Sequence, residues 1–313
     1  MYLRRTAALM GAIILLVTGC GVATLLPGTT FHQRCGWKAE DYFNDPKVVA
    51  LCHAIEVSDL HEMDRLVKAG ADVNAQGKGK MTPLLWAFPD NKLPRFKWLL
   101  EHGADPNVVV EEEFNTRQNI VRGDSVTQMA CNSSFPGYFE AVFDHGGNPN
   151  LRRARGGPGY SSTPLHSVIC FGGGDRREKV KRLIELGADM NALAVGVTPV
   201  MQAVSWGGQY DLALLMLESG ADWKQYQENE TQRLIHVVVR QEDRLVHQSP
   251  LQQETFRKLV KWLEDHGESY ERANADMERW DSWSRTTGEF REKMAAEIAD
   301  RKAREQADEK NRP

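Results

Sequence analysis

The chain reads as an all-α solenoid of about six stacked helix–turn–helix units with a C-terminal capping helix. Three observations point there. The stretch KWLLEHGADPN at 97–107 is nearly rewritten at 65–74 (RLVKAGADVN), 182–191 (RLIELGADMN) and 215–222 (LMLESGAD). A second element precedes it, as TPLLWA (82–87), TPLHSV (163–168) and TPVMQA (198–203), with degraded forms VTQMA at 126–130 and TQRLIH at 231–236. The two recur in phase: Thr82 precedes Gly103 by 21 positions and Thr198 precedes Gly220 by 22. A catalytic loop is usually written once, whereas a unit written many times builds a shape.

In chain order, the N-terminus comes first. Arg4 and Arg5 precede the apolar run ALMGAIILLV (8–17), and Thr18-Gly19-Cys20 follows. A basic start, an apolar centre and small residues before a cut site make an export signal over 1–19. Val17-Thr18-Gly19 ahead of Cys20 resembles a bacterial lipobox, which implies a lipid thioether on Cys20 and an acylated N-terminus. Gly21, in place of Asp, then favours the outer membrane. The alternative is an uncleaved inner-membrane anchor, because residues 6–26 carry no charge and about 20 apolar residues span a bilayer. Both readings put everything after residue 30 outside the cytosol. Residues 20–45 read as a lipidated tether, and in an oxidising compartment Cys35 and Cys52 could pair to pin it to the first repeat.

The array itself spans 46–270. Thr at the turn caps a first helix, and Pro beside it fits the first helical position, where a missing N–H costs nothing. A second helix carries an apolar face, as at Trp98-Leu99-Leu100 or Leu183-Ile184, and ends at a glycine such as Gly103 or Gly187 where a left-handed residue is needed. The paired elements resemble the ankyrin repeat, whose period is about 33 residues; Thr163-Pro164-Leu165-His166 matches its motif in full. The resemblance implies that His166 and His236 hydrogen-bond their turns, and that turn tips and the outer parts of the first helices form one concave recognition face.

Two connectors are longer than such units need. Residues 108–125 are acidic at Glu111, Glu112 and Glu113, and residues 151–162 are basic at Arg152, Arg153 and Arg155. They read either as solvated loops that pair with each other or as fingers that meet a partner. Phe171 and Trp206 map near exposed ends of first helices, and Trp223 and Tyr226 to a turn tip, where aromatics on a polar rim anchor protein interfaces. Beyond 270 the chain is a charged helix-former over 271–313. Trp280, Trp283, Phe290, Met294 and Ile298 fall on one stripe that packs as a cap.

Net charge is −4, and losing 1–19 removes two arginines and no acid, so little counterion release is available and nucleic acid is set aside. His61-Glu62 opens like a zinc-protease motif, but the fifth position is Arg65, not His. Gly77-Lys78-Gly79-Lys80 lacks the remainder of a phosphate loop, and no GxSxG, CxxC, metal-ligand spacing or cofactor motif occurs. The expected function is therefore non-enzymatic: a membrane-tethered, periplasmic protein-binding module. A lipoprotein of this type is similar to immunity lipoproteins that accompany type VI secretion phospholipase effectors, which implies a lipase inhibitor. The alternative is an envelope scaffold or accessory partner of a periplasmic enzyme.

Overall fold

The computed structural model describes residues 29–114, 120–154, 161–228, 231–286 and 290–310. After α1 (Phe31–Cys35), helices alternate between two layers. The first-helix layer holds α2 (Pro46–Val57), α4 (Pro83–Ala87), α6 (Val126–Asn132), α8 (Pro164–Phe171), α10 (Pro199–Ser205) and α12 (Leu234–Val239). Their partners are α3 (Leu60–Lys68), α5 (Leu93–Glu101), α7 (Tyr138–Asp144), α9 (Arg176–Glu185), α11 (Tyr210–Glu218) and α13 (Pro250–Asp265). The chain closes with α14 (Tyr270–Thr286) and α15 (Phe290–Lys310), and a two-rung ribbon joins β1 (Arg153–Ala154) to β2 (Ser161–Ser162).

Local chemistry writes each unit. The hydroxyls of Thr82, Ser125 and Thr198 accept from the backbone N–H of Leu85, Gln128 and Met201 and so cap the first helices. Thr163 instead bonds its own helix's His166, Oγ1 to Nδ1 at 2.8 Å. Second helices end at left-handed glycines such as Gly103 (φ 83°) and Gly187 (φ 80°), where a Cβ would strain the backbone.

The residues after the glycine are the mortar. The Asp105 carboxylate accepts from Asn107 N, while the Asn107 side chain donates to Gly146 O at 2.9 Å and accepts from Asn148 N at 2.8 Å. Asn74 bridges in the same way to Gly103 and Asp105, and Asn150 to Gly187 and Asp189. Asn191 still accepts from Asp222 N, but Lys224 takes the next asparagine position. The polar ladder therefore stops at the fifth turn, and apolar packing continues alone. One contiguous core runs through the stack, from Trp37 to Ile298.

Four expectations need correction. Residues 29–45 are not a tether but part of the folded body. A capping box between Thr30 and Gln33 starts α1, and Trp37, Ala39 and Phe43 are buried. His32 stacks on Trp86 with ring centroids 4.5 Å apart, and its Nε2 lies 2.8 Å from Trp86 O. No disulfide joins Cys35 to Cys52. In the sixth unit the first helix begins at Leu234 with Arg233 at its N-cap, two residues later than Thr231 indicates. Finally, the terminal stripe is divided between two helices: Trp280, Met294 and Ile298 are buried and Trp283 and Phe290 half-buried, and α14 extends the first-helix layer beyond α12.

Candidate interaction face

The face made by first helices and turn tips is occupied at its N-terminal end by the chain itself. Trp86 projects from α4 but is fully buried, because Trp37, Tyr42 and Phe43 pack on it with centroid separations of 5.2, 5.7 and 6.5 Å. Phe114, from the acidic connector, completes the aromatic cluster against Trp37 and Tyr42.

That connector is built on a buried base of Val110, Phe114 and Ile120. Glu111 pairs with Lys80 of the first turn at 2.7 Å and its N–H donates to Gly79 O; Glu112 and Glu113 are exposed. Among the described residues the two long connectors meet through a buried Arg153–Asp124 ion pair, while Glu111 pairs with Lys80 instead. Arg153 is thus a structural strut, with no free charge for a partner. Arg152 is exposed, and its guanidinium donates to Leu193 O of the fourth turn at 3.0 Å. Arg155 lies outside the described residues, as does Cys20.

Phe171 and Trp206 sit where the sequence places them, at the ends of α8 and α10, 56% and 51% exposed. Their rings meet edge to face at 6.0 Å, and Trp206 Nε1 donates to Cys170 O at 3.2 Å, which fixes the indole between two units. Gln209 donates to Ile169 O and Gln252 to Gly207 O, so the backbone around the pair is tied to both neighbours. Val246, from the sixth unit's insertion, and Leu251, in the first turn of α13, are also exposed.

Trp223 and Tyr226 are not exposed anchors. Trp223 is half-buried against Trp262 and His266, at 5.3 and 5.4 Å. Tyr226 is half-buried under α15, with Lys302 Nζ 4.5 Å from its ring centre. The signal that would have revealed this is the pair Trp262 and His266, one helical turn apart and stacked at 3.7 Å, which offers Trp223 a platform.

The titratable groups behave as structure. Burial pushes His166 down to about 4, and its Nε2 lies 3.3 Å from Val197 O of the next turn, so the neutral ring staples two units. His236, also lowered by burial, faces Asp276 at 3.4 Å and stacks on Trp280 at 5.1 Å, bonding the cap rather than a following turn. Burial opposes charge on Asp276, yet hydrogen bonds from His236, Arg279 and Arg301 hold its carboxyl below the usual range. Glu62 is paired with Arg65 at 2.6 Å. Buried Cys131 is pushed well up, and Cys170 up to about 11, by burial. Sequence reasoning missed Arg95, a fully buried cation on α5 that pairs with Asp90 and donates to Glu56 O and Ser58 Oγ. It also missed Lys179, whose amine donates to Ser133 O at 3.0 Å beneath a cavity of about 540 Å³ between α7 and α9. Among the described residues no cluster of three His, Cys, Asp or Glu side chains has the geometry to hold a metal, and no helix is long and apolar enough to cross a membrane.

No family model matches the chain. Among solved structures it is similar to the ankyrin repeat domain of Bcl-3, a member of the IkappaB protein family, at 21% identity and a TM-score of 0.49 over 70% of this chain and 86% of that one. It is also similar to the human ASB11 ankyrin repeat domain, at 20% identity and a TM-score of 0.46 over 72% of this chain and 85% of that one. On its own geometry, with helix pairs that open at a capped turn, close at a left-handed glycine and join through one repeated asparagine bridge, the chain has the all-α ankyrin-repeat solenoid fold.

Proposed function

We propose that this chain is a non-enzymatic protein-binding module, held at a membrane outside the cytosol by lipid on Cys20, whose contact surface is the first-helix face around Phe171 and Trp206. The observation that carries the reading is that exposed aromatic pair. Two large rings held rigidly at the surface lose little conformational entropy on binding, and each covers much apolar area. Arg152, Glu112 and Glu113 supply a charged rim at the turn tips. The anchor raises the effective concentration of the module against anything acting at the same bilayer.

In its most specific form the module is an immunity protein that binds and inhibits a type VI secretion phospholipase effector in the periplasm. The support is the combination of the fold with an N-terminal sequence that resembles an export signal ending in a lipobox. If a phospholipase is encoded beside this chain, mixing it with the soluble form is expected to give a complex of fixed stoichiometry and loss of phospholipase activity; full activity in the mixture, or no such neighbour, overturns this form. Cys20→Ser is expected to release the protein from membranes and weaken protection while binding to purified lipase persists.

A further inference from the structure

The two terminal helices are held to the array by different forces. α14 buries Ala273, Met277 and Trp280, a helical stripe. Among the described side chains of α15 only Met294 and Ile298 are buried. Half-buried Phe290 packs against the core and Lys302 lies over the Tyr226 ring, and the other described contacts are ionic. Arg301 donates to Asp276 Oδ2 at 2.6 Å, Arg279 Nε to Glu297 at 3.1 Å and Arg233 to Glu305 at 2.8 Å.

Each charge that α15 touches keeps a second partner within the body. Asp276 keeps Arg279 at 2.6 Å and His236 at 3.4 Å, and Arg233 keeps Glu268 at 3.2 Å. On α15 itself, Arg301 and Glu297 pair at 3.3 Å one turn apart. Breaking a buried ion pair is costly because it leaves an uncompensated charge. Lifting α15 leaves none. Its docked position is also imperfect: the Tyr226 hydroxyl and Arg233 Nε, both donors, are buried beside it without a hydrogen-bond partner among the described residues.

We propose that the surface running from Tyr226 through Arg233 and His236 to Asp276 is a docking site for an amphipathic helix of mixed charge, which α15 occupies in cis as a releasable strap. The occupant's chemistry is written in α15: two apolar side chains a turn apart, as Met294 and Ile298, carboxylates for Arg279 and Arg233, as Glu297 and Glu305, and a guanidinium for Asp276, as Arg301. A partner helix that brings a carboxylate to the Tyr226 hydroxyl and Arg233 Nε gains bonds that α15 does not make. The site stands whether or not the Phe171–Trp206 surface binds the partner proposed above.

Amide exchange on the native full chain tests the strap. The amides of α15 are expected to exchange at least about tenfold faster than those of α13 and α14, and faster still at about 1 M salt, where screening reaches ~3 Å. Exchange in step with α14 at both salts overturns the proposal. A fluorescein-labelled peptide of residues 290–310 then tests the site. It is expected to bind full-length chain carrying Arg301→Glu and Glu305→Arg about tenfold or more tighter than native chain, whose site is filled at high effective concentration. Circular dichroism shows that the array persists in that variant. Equal binding to both chains, with the variant folded, overturns the site.

Discussion

Single residues set the stack's pH and sequence tolerance. His32 and His166 both have pKa values lowered to about 4, chiefly by burial. Between that value and about 6.5 the unfolded chain binds protons that the folded chain refuses, so stability rises with pH across this window and is lost on acidification. Each ring contributes up to about 3 kcal/mol of loss by pH 4. The sequence itself suggests a control. Gln128 occupies in the third unit the place of His166, donating to Leu151 O at 2.7 Å. His166→Gln is therefore expected to keep the inter-unit bond while reducing, by up to about half, the fall in urea midpoint between pH 7 and pH 4.5 that His236 also feeds. An unchanged slope would place the titration elsewhere. The asparagine bridge is equally local. Asn107→Ala removes a donor and an acceptor that serve Gly146 and Asn148, and a loss of about 1–3 kcal/mol is expected in chemical denaturation. These positions were legible from sequence because their motif recurs. Arg95 and Lys179 were not, because each is buried against a neighbouring unit and nothing in its own helix marks it.

At the scale of elements, the fingers and caps show where periodicity ceases to inform. The connectors looked like charged loops, and their charges suggested pairing between Glu111–Glu113 and the arginines. The observed joint is Arg153 with Asp124, a residue with no distinction in the sequence beyond standing before a capping serine. Arg153→Ala leaves Asp124 buried and unpaired, so a cost of about 3–5 kcal/mol is expected, whereas Glu111–Glu113→Lys loses, among the described residues, the exposed Glu111–Lys80 pair, worth at most about 1 kcal/mol. Thermal melts of the two variants separate strut from rim. The segment 29–45 was misread for a related reason. His32, Trp37 and Phe43 follow no helical repeat, and what makes them core residues is Trp86, some fifty positions away. The terminal stripe was read correctly as apolar, but a single stripe cannot reveal that it is shared by two helices packed on each other, α14 and α15.

For the whole molecule, the position of the folded start changes what an anchor would do. In the lipid-anchored reading, the chain from Cys20 to Thr29 extends no further than about 30 Å, so the first repeats would be kept near the bilayer instead of swinging on a long tether. The first-helix face is closed at one end by an aromatic plug and at the other by an ionically held helix, and Phe171 and Trp206 stand in the open stretch between them. Those two kinds of aromatic should part company under mutation. Trp37 is buried in the plug, and since nearest neighbours stabilise each other in a solenoid, removing it weakens the first two units together. Trp37→Ala is expected to cost about 3–5 kcal/mol and lower the melting temperature sharply. Phe171→Ala with Trp206→Ala removes rings that are half solvated and contact chiefly each other, so the melting temperature should move by only a few degrees while affinity for a captured partner falls about tenfold or more. A double variant as unstable as Trp37→Ala would make that pair part of the fold; one that is stable and binds normally would move the contact surface elsewhere on the array.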